Sequence, residues 1–268
     1  MRTRWLGARR VDLDECGSTN DEAARLARAG AGHGTVVIAV AQRAGRGRTG
    51  RAWSSPRGLG VYLSALLRSP MTTALALADV PPITLAIGIG LCDALRAHGA
   101  PATLKWPNDA LVHRRKIAGV LVEAQSQGAR LESIVVGIGV NLAAGEGGLP
   151  AEIADTATTL ELAAGRPVDR EAFIDTLLAQ VERWIDRYVA VGLPAVIPAW
   201  QERMAPDLAA RAVVDGVPVV GHLVGLADDG AVLLRDDRGG VHPIRSGDVE
   251  VVKPAPDGVS LAEPALAP

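Results

Sequence analysis

A segment rich in arginine and glycine is the part of this sequence whose residue types most directly suggest chemistry. Within QRAGRGRTGRAW (42–53), four arginines and three glycines fall in nine residues. Like charges repel each other and glycine loses much conformational entropy on folding, so the segment is costly to order. A bound anion would offset that cost, because a guanidinium group donates two parallel hydrogen bonds to phosphate or carboxylate. The residues concerned are Arg43, Arg46, Arg48, Arg51, Gly45, Gly47 and Gly50.

A P-loop, a nucleic-acid-binding segment and a solvated surface loop are the alternatives for this segment. Residues 45–52 nearly match a P-loop, but Arg51 replaces the lysine and Ala52 the hydroxyl residue that holds magnesium. No helix follows, so a P-loop is excluded. An RGG-like segment that binds nucleic acid and a solvated surface loop stay open. Trp53 favours a bound nucleotide, since an indole beside a phosphate site can stack on a base.

Two short polar motifs lie at the ends of predicted elements. Ser-Thr-Asn (18–20) precedes a helical pattern, and its simplest role is a helix N-cap. KWPND (105–109) places Lys105, Asn108 and Asp109 at the end of a short strand, where Pro107 fixes a turn. The polar heads could converge there on a ligand, or the motif could be an ordinary strand-ending turn.

Two further motifs place unusual residues within apolar strands. Lys116 opens the strand of RRKIAGVLVE (114–123), in which Gly119 allows close backbone approach. Such a lysine commonly extends to water rather than to a ligand. In GIGVN (137–141) the two glycines could be simple β-bulges.

Composition excludes several classes of protein. The 268 residues carry a net charge of −2, which argues against a surface built to bind nucleic acid. Two cysteines and five scattered histidines predict neither a disulfide framework nor a zinc site. The most apolar stretch, 74–95, contains Asp79, Pro81 and Pro82, and the N-terminus has no signal-peptide core. A cytoplasmic enzyme is expected. With no Ser/His/Asp or Cys/His set visible, electrostatic stabilisation of phosphoryl or adenylyl transfer suits the cations best.

The pattern of elements predicts an α/β domain followed by a small antiparallel barrel. Helical spacing follows the Ser-Thr-Asn motif and ends at Gly30, and Asp169 is the expected N-cap of a long helix. Asp-Gly and Gly-Gly turns separate short strands from Arg211 onward, and a Pro/Ala-rich tail begins at Pro254. The predicted strands are 35–42, 60–68, a short strand within 103–109 that Pro107 stops, 116–125 and 131–142, with a buried helix over 83–98 and two helices after the loop at 144–151.

Taken in order, these motifs resemble those of the biotin–protein ligase family over residues 12–252. GRGRxGRxW is the most specific of them. The resemblance implies a mixed sheet with packed helices, as in class II aminoacyl-tRNA synthetases and biotin ligases, and a following SH3-like barrel. The implied domains are a catalytic domain (1–205), the barrel (206–253) and a disordered tail (254–268).

The resemblance also implies the roles of individual residues. Arg46, Lys116, Arg51 and Lys105 would be catalytic, and no residue is assigned to a metal. The ATP or adenylate side would comprise Arg48, Arg51, Trp53, Lys105, Asn108, Asp109 and Asn141. Biotin would be bound by Ser18, Thr19, Asn20, Gln42, Gly45, Arg46, Gly47, Lys116, Gly119, Gly137 and Gly139.

The implied activity is formation of biotinyl-AMP from biotin and ATP with Mg²⁺, then transfer to a lysine of the biotin carboxyl carrier domain of an acyl-CoA carboxylase. The Ser-Thr-Asn motif starts at residue 18, which leaves no room before it for the DNA-binding domain of many relatives. Neither DNA nor a membrane is expected as a partner, and a homodimer is possible. The alternatives are a lipoate or octanoate ligase, a nucleic-acid binder and a non-catalytic sensor.

Overall fold

The computed structural model describes residues 3–128, 130–214, 216–245 and 249–251. The chain forms two compact units, Met1–Met204 and Ala205–Pro268. This division falls next to the boundary expected between residues 205 and 206. The expected tail, 254–268, lies outside the described residues.

A mixed seven-stranded sheet forms the centre of the first unit. Its strand order is β1-β2-β3-β7-β6-β5-β4, in which β1 and β2 are parallel and all other neighbours antiparallel. Buried β-branched and apolar side chains fill β2, β3 and β7, as the continuous apolar runs predict. The strands are β1 (Arg9–Cys16), β2 (Thr35–Gln42), β3 (Gly60–Leu67), β4 (Thr103–Lys105), β5 (Asp109–Val112), β6 (Arg115–Gln127) and β7 (Arg130–Asn141).

Within the part of the chain that the structure describes, six α-helices accompany this sheet. The first covers one sheet face, where Ala23 and Ala27 pack with Val37, Leu66 and Val135. The fifth begins at Asp169, whose carboxylate accepts the Ala172 N–H at 2.8 Å, so the predicted N-cap is confirmed. The helices are α1 (Thr19–Arg28), α2 (Val80–Ala97), α3 (Ala151–Ala154), α4 (Leu160–Ala164), α5 (Arg170–Val191) and α6 (Leu193–Gln201).

Helix α2 is the apolar helix expected over 83–98. The segment Leu77–Ala97 is long and apolar enough by composition to cross a membrane, but 67% of its most apolar window is buried inside the protein. Because α2 packs on α5 and β6, core packing accounts for its apolar residues.

Several elements differ from the sequence-based expectation. The short strand expected within 103–109 and stopped by Pro107 is present as β4, but it ends slightly earlier, at Lys105, because residues 106–108 form the turn that leads into the four-residue strand β5. Strand β1 was not predicted, because most of its residues are polar and at least partly exposed at the sheet edge. Helix α6 escaped prediction because Pro194 and Pro198 interrupt its pattern.

The second unit is the small antiparallel β-domain that the turn pattern predicts. Its strand order is β11-β10-β9-β8-β12. Gly230 and Gly239 adopt φ values of +81° and +84°, which a side chain disfavours, so the predicted turns are confirmed. The strands are β8 (Ala209–Val214), β9 (Val217–Leu226), β10 (Val232–Asp236), β11 (Val241–Ile244) and β12 (Glu250–Val251).

Candidate active site

A strip of bare backbone crosses the sheet on the face that α1 covers. Gly119 of β6 pairs with Gly139 of β7, and Gly137 pairs with Ser64 of β3, so all four residues point to one face. A Cβ on Gly137 would lie 2.3 Å from Asn20 Oδ1, and one on Gly139 would lie 2.6 Å from Trp53 Nε1. The glycines are therefore needed for close approach, and β-bulges are not required to account for them.

The start of α1 closes one end of this strip with a chain of hydrogen bonds. Gln42 Oε1 accepts the Thr19 backbone N–H at 2.8 Å and lies 3.1 Å from Thr19 Oγ1. Gln42 Nε2 donates to Ser55 Oγ at 2.8 Å. Ser64 Oγ lies 2.8 Å from Thr19 Oγ1 and 2.6 Å from Asn20 Oδ1. These buried polar groups form one connected network.

The Ser-Thr-Asn motif contributes more than a helix cap. Ser18 occupies the N-cap position with extended backbone, but its side chain makes no capping hydrogen bond. Ser18, Thr19 and Asn20 are 4%, 4% and 5% exposed, so all three turn into the protein. The N-cap position of Ser18 is therefore confirmed, but no side-chain capping bond is formed, and the side chains of Thr19 and Asn20 belong to the network under the helix.

The arginine- and glycine-rich loop folds back on itself. Gly45 accepts the Trp53 N–H at 2.9 Å, and Gly47 donates to the Arg51 carbonyl at 2.7 Å. A Cβ on Gly45 would lie 2.5 Å from the Trp53 carbonyl oxygen, so glycine permits this return. Arg48 is half-buried and Arg51 exposed.

Arg46 extends from this loop to the first turn of α1. It forms a bidentate pair with Asp21 at 2.7 and 2.6 Å, and its Nη2 lies 3.9 Å from Glu123 Oε1. The hydrogen bonds with Arg46 lower the pKa of Asp21, and those with Asp21 raise the pKa of Arg46. Arg43 lies farther out and pairs with Glu15 at 2.7 Å.

A second cationic cluster lies at the Gly119–Gly139 end of the strip. Lys116 Nζ is 2.5 Å from Asp109 Oδ1, and Lys105 Nζ is 3.8 Å from Asp109 Oδ2. Lys116 also lies 5.2 Å from the centroid of the Trp53 ring, a cation–π distance. Lys116 therefore turns toward the strip and its neighbours. KWPND is more than a turn, because its Asp109 carboxylate lies close to both Lys105 and Lys116.

Trp53 has a polar atom that the described residues leave unsatisfied. Its indole Nε1 is buried and has no hydrogen-bond partner among them. Such a group costs free energy unless something pairs with it. The indole lies over Gly139 and beside Lys116, so it belongs to the same end of the strip.

The two asparagines assigned to ATP use their amide N–H groups within the protein. Asn108 donates to the Val120 carbonyl at 2.7 Å and accepts the Val120 N–H through its own backbone at 2.9 Å. Asn141 donates to the Thr158 carbonyl at 3.1 Å. Both side chains fix neighbouring segments, and their contact with ATP stays a prediction.

Four polar residues of the site were not singled out in the sequence. Ser64 is the one polar side chain in the run GVYLSALL (60–67) apart from Tyr62, and that position was its available signal. Glu123 ends the lysine-bearing motif and Asp21 follows Ser-Thr-Asn directly. Ser55, which accepts from Gln42, carried no signal of its own.

The described residues do not hold a metal ion by themselves. Among them, no group of three or more His, Cys, Asp or Glu side chains is placed to bind one. Asp109 is already paired with Lys116. The described residues therefore offer no complete set of protein ligands for Mg²⁺, which in nucleotide sites is held by one or two carboxylates together with the phosphates.

These features define a class of enzyme that brings two anions together. Cations from the loop and from β4 and β6 border the strip of glycines, as activation of a carboxylate by a nucleotide requires.

Comparison with known proteins narrows this class to a family. Residues 17–141 match the family model described as the biotin/lipoate A/B protein ligase family. The chain is 32% identical over 255 residues to the bifunctional ligase/repressor BirA of Bacillus subtilis, covering 94% of this chain and 76% of that protein. It is 35% identical over 230 residues to the biotin–[acetyl-CoA-carboxylase] ligase of Paracoccus denitrificans, covering 83% and 92%.

A solved structure shows the same relationship. The biotin protein ligase of Aquifex aeolicus in complex with biotin and ATP superposes with a TM-score of 0.78 at 28% identity, covering 92% of this chain and 99% of that one. The chain belongs to the biotin–protein ligase family.

Proposed function

We propose that this chain activates biotin with ATP and attaches it to a lysine of the biotin carboxyl carrier domain of an acyl-CoA carboxylase. The observation that carries the proposal is the single strip with a polar network at one end and Arg46, Lys105 and Lys116 around it. Family membership, and the biotin and ATP bound to the Aquifex relative, support it.

The network under α1 suits the ureido ring of biotin. A cyclic urea has one carbonyl acceptor between two N–H donors, so it needs a site with both kinds of partner. Thr19, Gln42, Asn20 and Ser64 supply hydroxyl and amide groups in a buried setting. We assign the biotin pocket to Ser18, Thr19, Asn20, Gln42, Gly45, Arg46, Gly47, Lys116, Gly119, Gly137 and Gly139.

The dithiolane of lipoate offers nothing to this network. It has neither N–H donors nor a carbonyl, so binding it would leave buried polar groups unpaired. Lipoate or octanoate ligation is therefore the weaker alternative.

The first chemical step joins two anions. A biotin carboxylate oxygen attacks the α-phosphorus of ATP, the bond to the β-phosphate oxygen breaks, and pyrophosphate leaves. Arg46, Arg51, Lys105 and Lys116 offset the developing negative charge. Mg²⁺ enters with ATP as the MgATP substrate. Trp53 would stack on adenine, with Arg48, Asn108, Asp109 and Asn141 beside the nucleotide.

Ligand binding must change the pairing of these cations. Arg46 contacts Asp21, and Lys116 contacts Asp109. A ligand phosphate or carboxylate competes for the same N–H groups, so both ion pairs loosen as the ligand enters. The glycines of the loop allow Arg46 to follow.

The second step transfers biotin to the carrier. The neutral ε-amine of the carrier lysine attacks the carbonyl carbon of biotinyl-AMP, an amide forms, and AMP and a proton leave. The loop carrying Arg46 would shield the mixed anhydride from water between the steps. A requirement for ATP is consistent with a cytoplasmic enzyme. A homodimer, and the absence of DNA and membrane partners, stay predictions.

Pyrophosphate release tests the proposal directly. The wild type is assayed with MgATP and biotin, lipoate or no acid. We expect release only with biotin, and a fall in kcat/KM of roughly a hundredfold for Arg46→Ala, the scale of losing one group that stabilises developing charge. Arg57→Ala is the matched control, because Arg57 forms an exposed pair with Asp14. Release with lipoate but not biotin would contradict the proposal.

A further inference from the structure

Glu123 is a polar residue of the site to which the proposed chemistry gives no task. It lies on β6, two residues beyond Leu121, the cross-strand partner of Gly137, so it extends on the face of the bare strip. Its Oε2 accepts a hydrogen bond from Asn20 Nδ2 at 2.5 Å, across 103 residues of sequence. Its side chain is 44% exposed, whereas Asn20 is buried.

The carboxylate of Glu123 fixes the orientation of the Asn20 amide. An ionised carboxylate only accepts hydrogen bonds, so Asn20 must present its NH₂ group to Glu123 and its carbonyl to Ser64. The Asn20 carbonyl cannot donate, so the hydroxyl hydrogen of Ser64 must point to Asn20 Oδ1 at 2.6 Å. The Glu123 carboxylate thereby sets the direction of two successive hydrogen bonds, from Asn20 to Glu123 and from Ser64 to Asn20.

The same reasoning continues to Thr19. Because Ser64 has given its hydrogen to Asn20, Ser64 Oγ can only accept at the 2.8 Å contact with Thr19 Oγ1. The other neighbour of Thr19 Oγ1 is Gln42 Oε1, at 3.1 Å, which also only accepts. The Thr19 hydroxyl hydrogen is therefore used inside the protein, and a ligand meets only its lone pairs.

We propose that Glu123 is a positioning residue for biotin: through Asn20 and Ser64 it makes the Thr19 hydroxyl an acceptor for a ureido N–H. This inference rests on the proposed function. Without the charge, the Asn20 amide can turn over, Ser64 can donate to Thr19, and the Thr19 hydrogen can point into the pocket against the N–H of the ligand. Glu123 itself touches neither substrate nor reacting atoms.

Glu123→Gln tests the inference, because it keeps the shape of the side chain and removes its charge. We expect the KM for biotin to rise roughly tenfold, because the free-energy difference between a charged and a neutral hydrogen bond corresponds to about a tenfold change in an equilibrium constant. The KM for ATP and kcat should change less than twofold. Glu132→Gln, which removes an exposed glutamate of the same hairpin, is the matched control. An unchanged KM for biotin would overturn the inference.

A double-mutant cycle separates Asn20 from the other neighbour of Glu123, the Arg46 guanidinium at 3.9 Å. If Glu123 acts through Asn20, Glu123→Gln has no further effect on the biotin KM in an Asn20→Ala background. An effect that persists there but vanishes in Arg46→Ala would refute the Asn20 route. Asn20→Ser replaces Asn20→Ala if thermal unfolding shows that the latter is not folded. Absence of biotin-dependent pyrophosphate release in the wild type would instead refute the proposed function.

Discussion

Gly137 is the position where a single methyl group should damage one half of the site selectively. In Gly137→Ala the new Cβ would lie 2.3 Å from Asn20 Oδ1, whereas ordinary contact begins near 3.4 Å. The Asn20 amide must therefore move by about 1 Å, because the β7 backbone is held between β3 and β6.

That displacement breaks two hydrogen bonds of Asn20. The contacts with Ser64 at 2.6 Å and Glu123 at 2.5 Å both lengthen toward or beyond the limit of a hydrogen bond. One neutral and one charged bond contribute together about 2–4 kcal/mol. Partial relaxation leaves a loss of about 2 kcal/mol in folding stability. Because the displaced Asn20 and Ser64 no longer hold the pocket in position, we also expect the KM for biotin to rise roughly 30-fold, the scale of losing one or two hydrogen bonds to the ligand.

The assay is steady-state pyrophosphate release with biotin varied at saturating MgATP, then with MgATP varied. Only the biotin KM should change strongly, and thermal unfolding should show a folded protein destabilised by about 2 kcal/mol. Gly32→Ala is the control, since a Cβ there meets nothing within 4 Å. A biotin KM within threefold of the wild type would refute the reasoning, because Asn20 could then not belong to the biotin pocket.

Two further substitutions test separate parts of the molecule. In Gly139→Ala the Cβ would lie 2.6 Å from Trp53 Nε1 and displace the indole. We therefore expect the KM for ATP to rise about tenfold and the KM for biotin to rise less. Equal rises of the two KM values would contradict the assignment of Trp53 to the nucleotide. Burial opposes ionisation of Glu182, but backbone N–H groups of residues 4–6 and Arg4 outweigh it and lower its pKa. Its stabilising effect is therefore full above its ordinary pKa near 4.5 and lost as the pH falls through the lowered value. Glu182→Gln should lower the free energy of unfolding by about 2 kcal/mol at pH 7 and by clearly less near pH 3, and a loss independent of pH would contradict this.

The sequence by itself determined the main elements and the candidate residues of the site. Apolar runs specify β2, β3, β7 and the buried part of β6 (117–120), because strand segments buried on both faces have no room for polar residues. The arginine and glycine loop indicated an anion, because a bound anion offsets the repulsion between the arginines and the entropy that the glycines lose. The motif order then indicated the family, which the comparisons confirm.

Tertiary structure alone decided how the polar residues are connected. Asn20 meets Glu123 across 103 residues, and no local pattern encodes a contact between a helix start and the far part of a strand. Gly137 and Gly139 share a face by the alternation of a strand, but only the cross-strand register shows that Gly119 lies beside them. The sequence likewise did not predict the edge strand β1 or the Pro-containing helix α6, because their conformations depend on packing that outweighs local propensity.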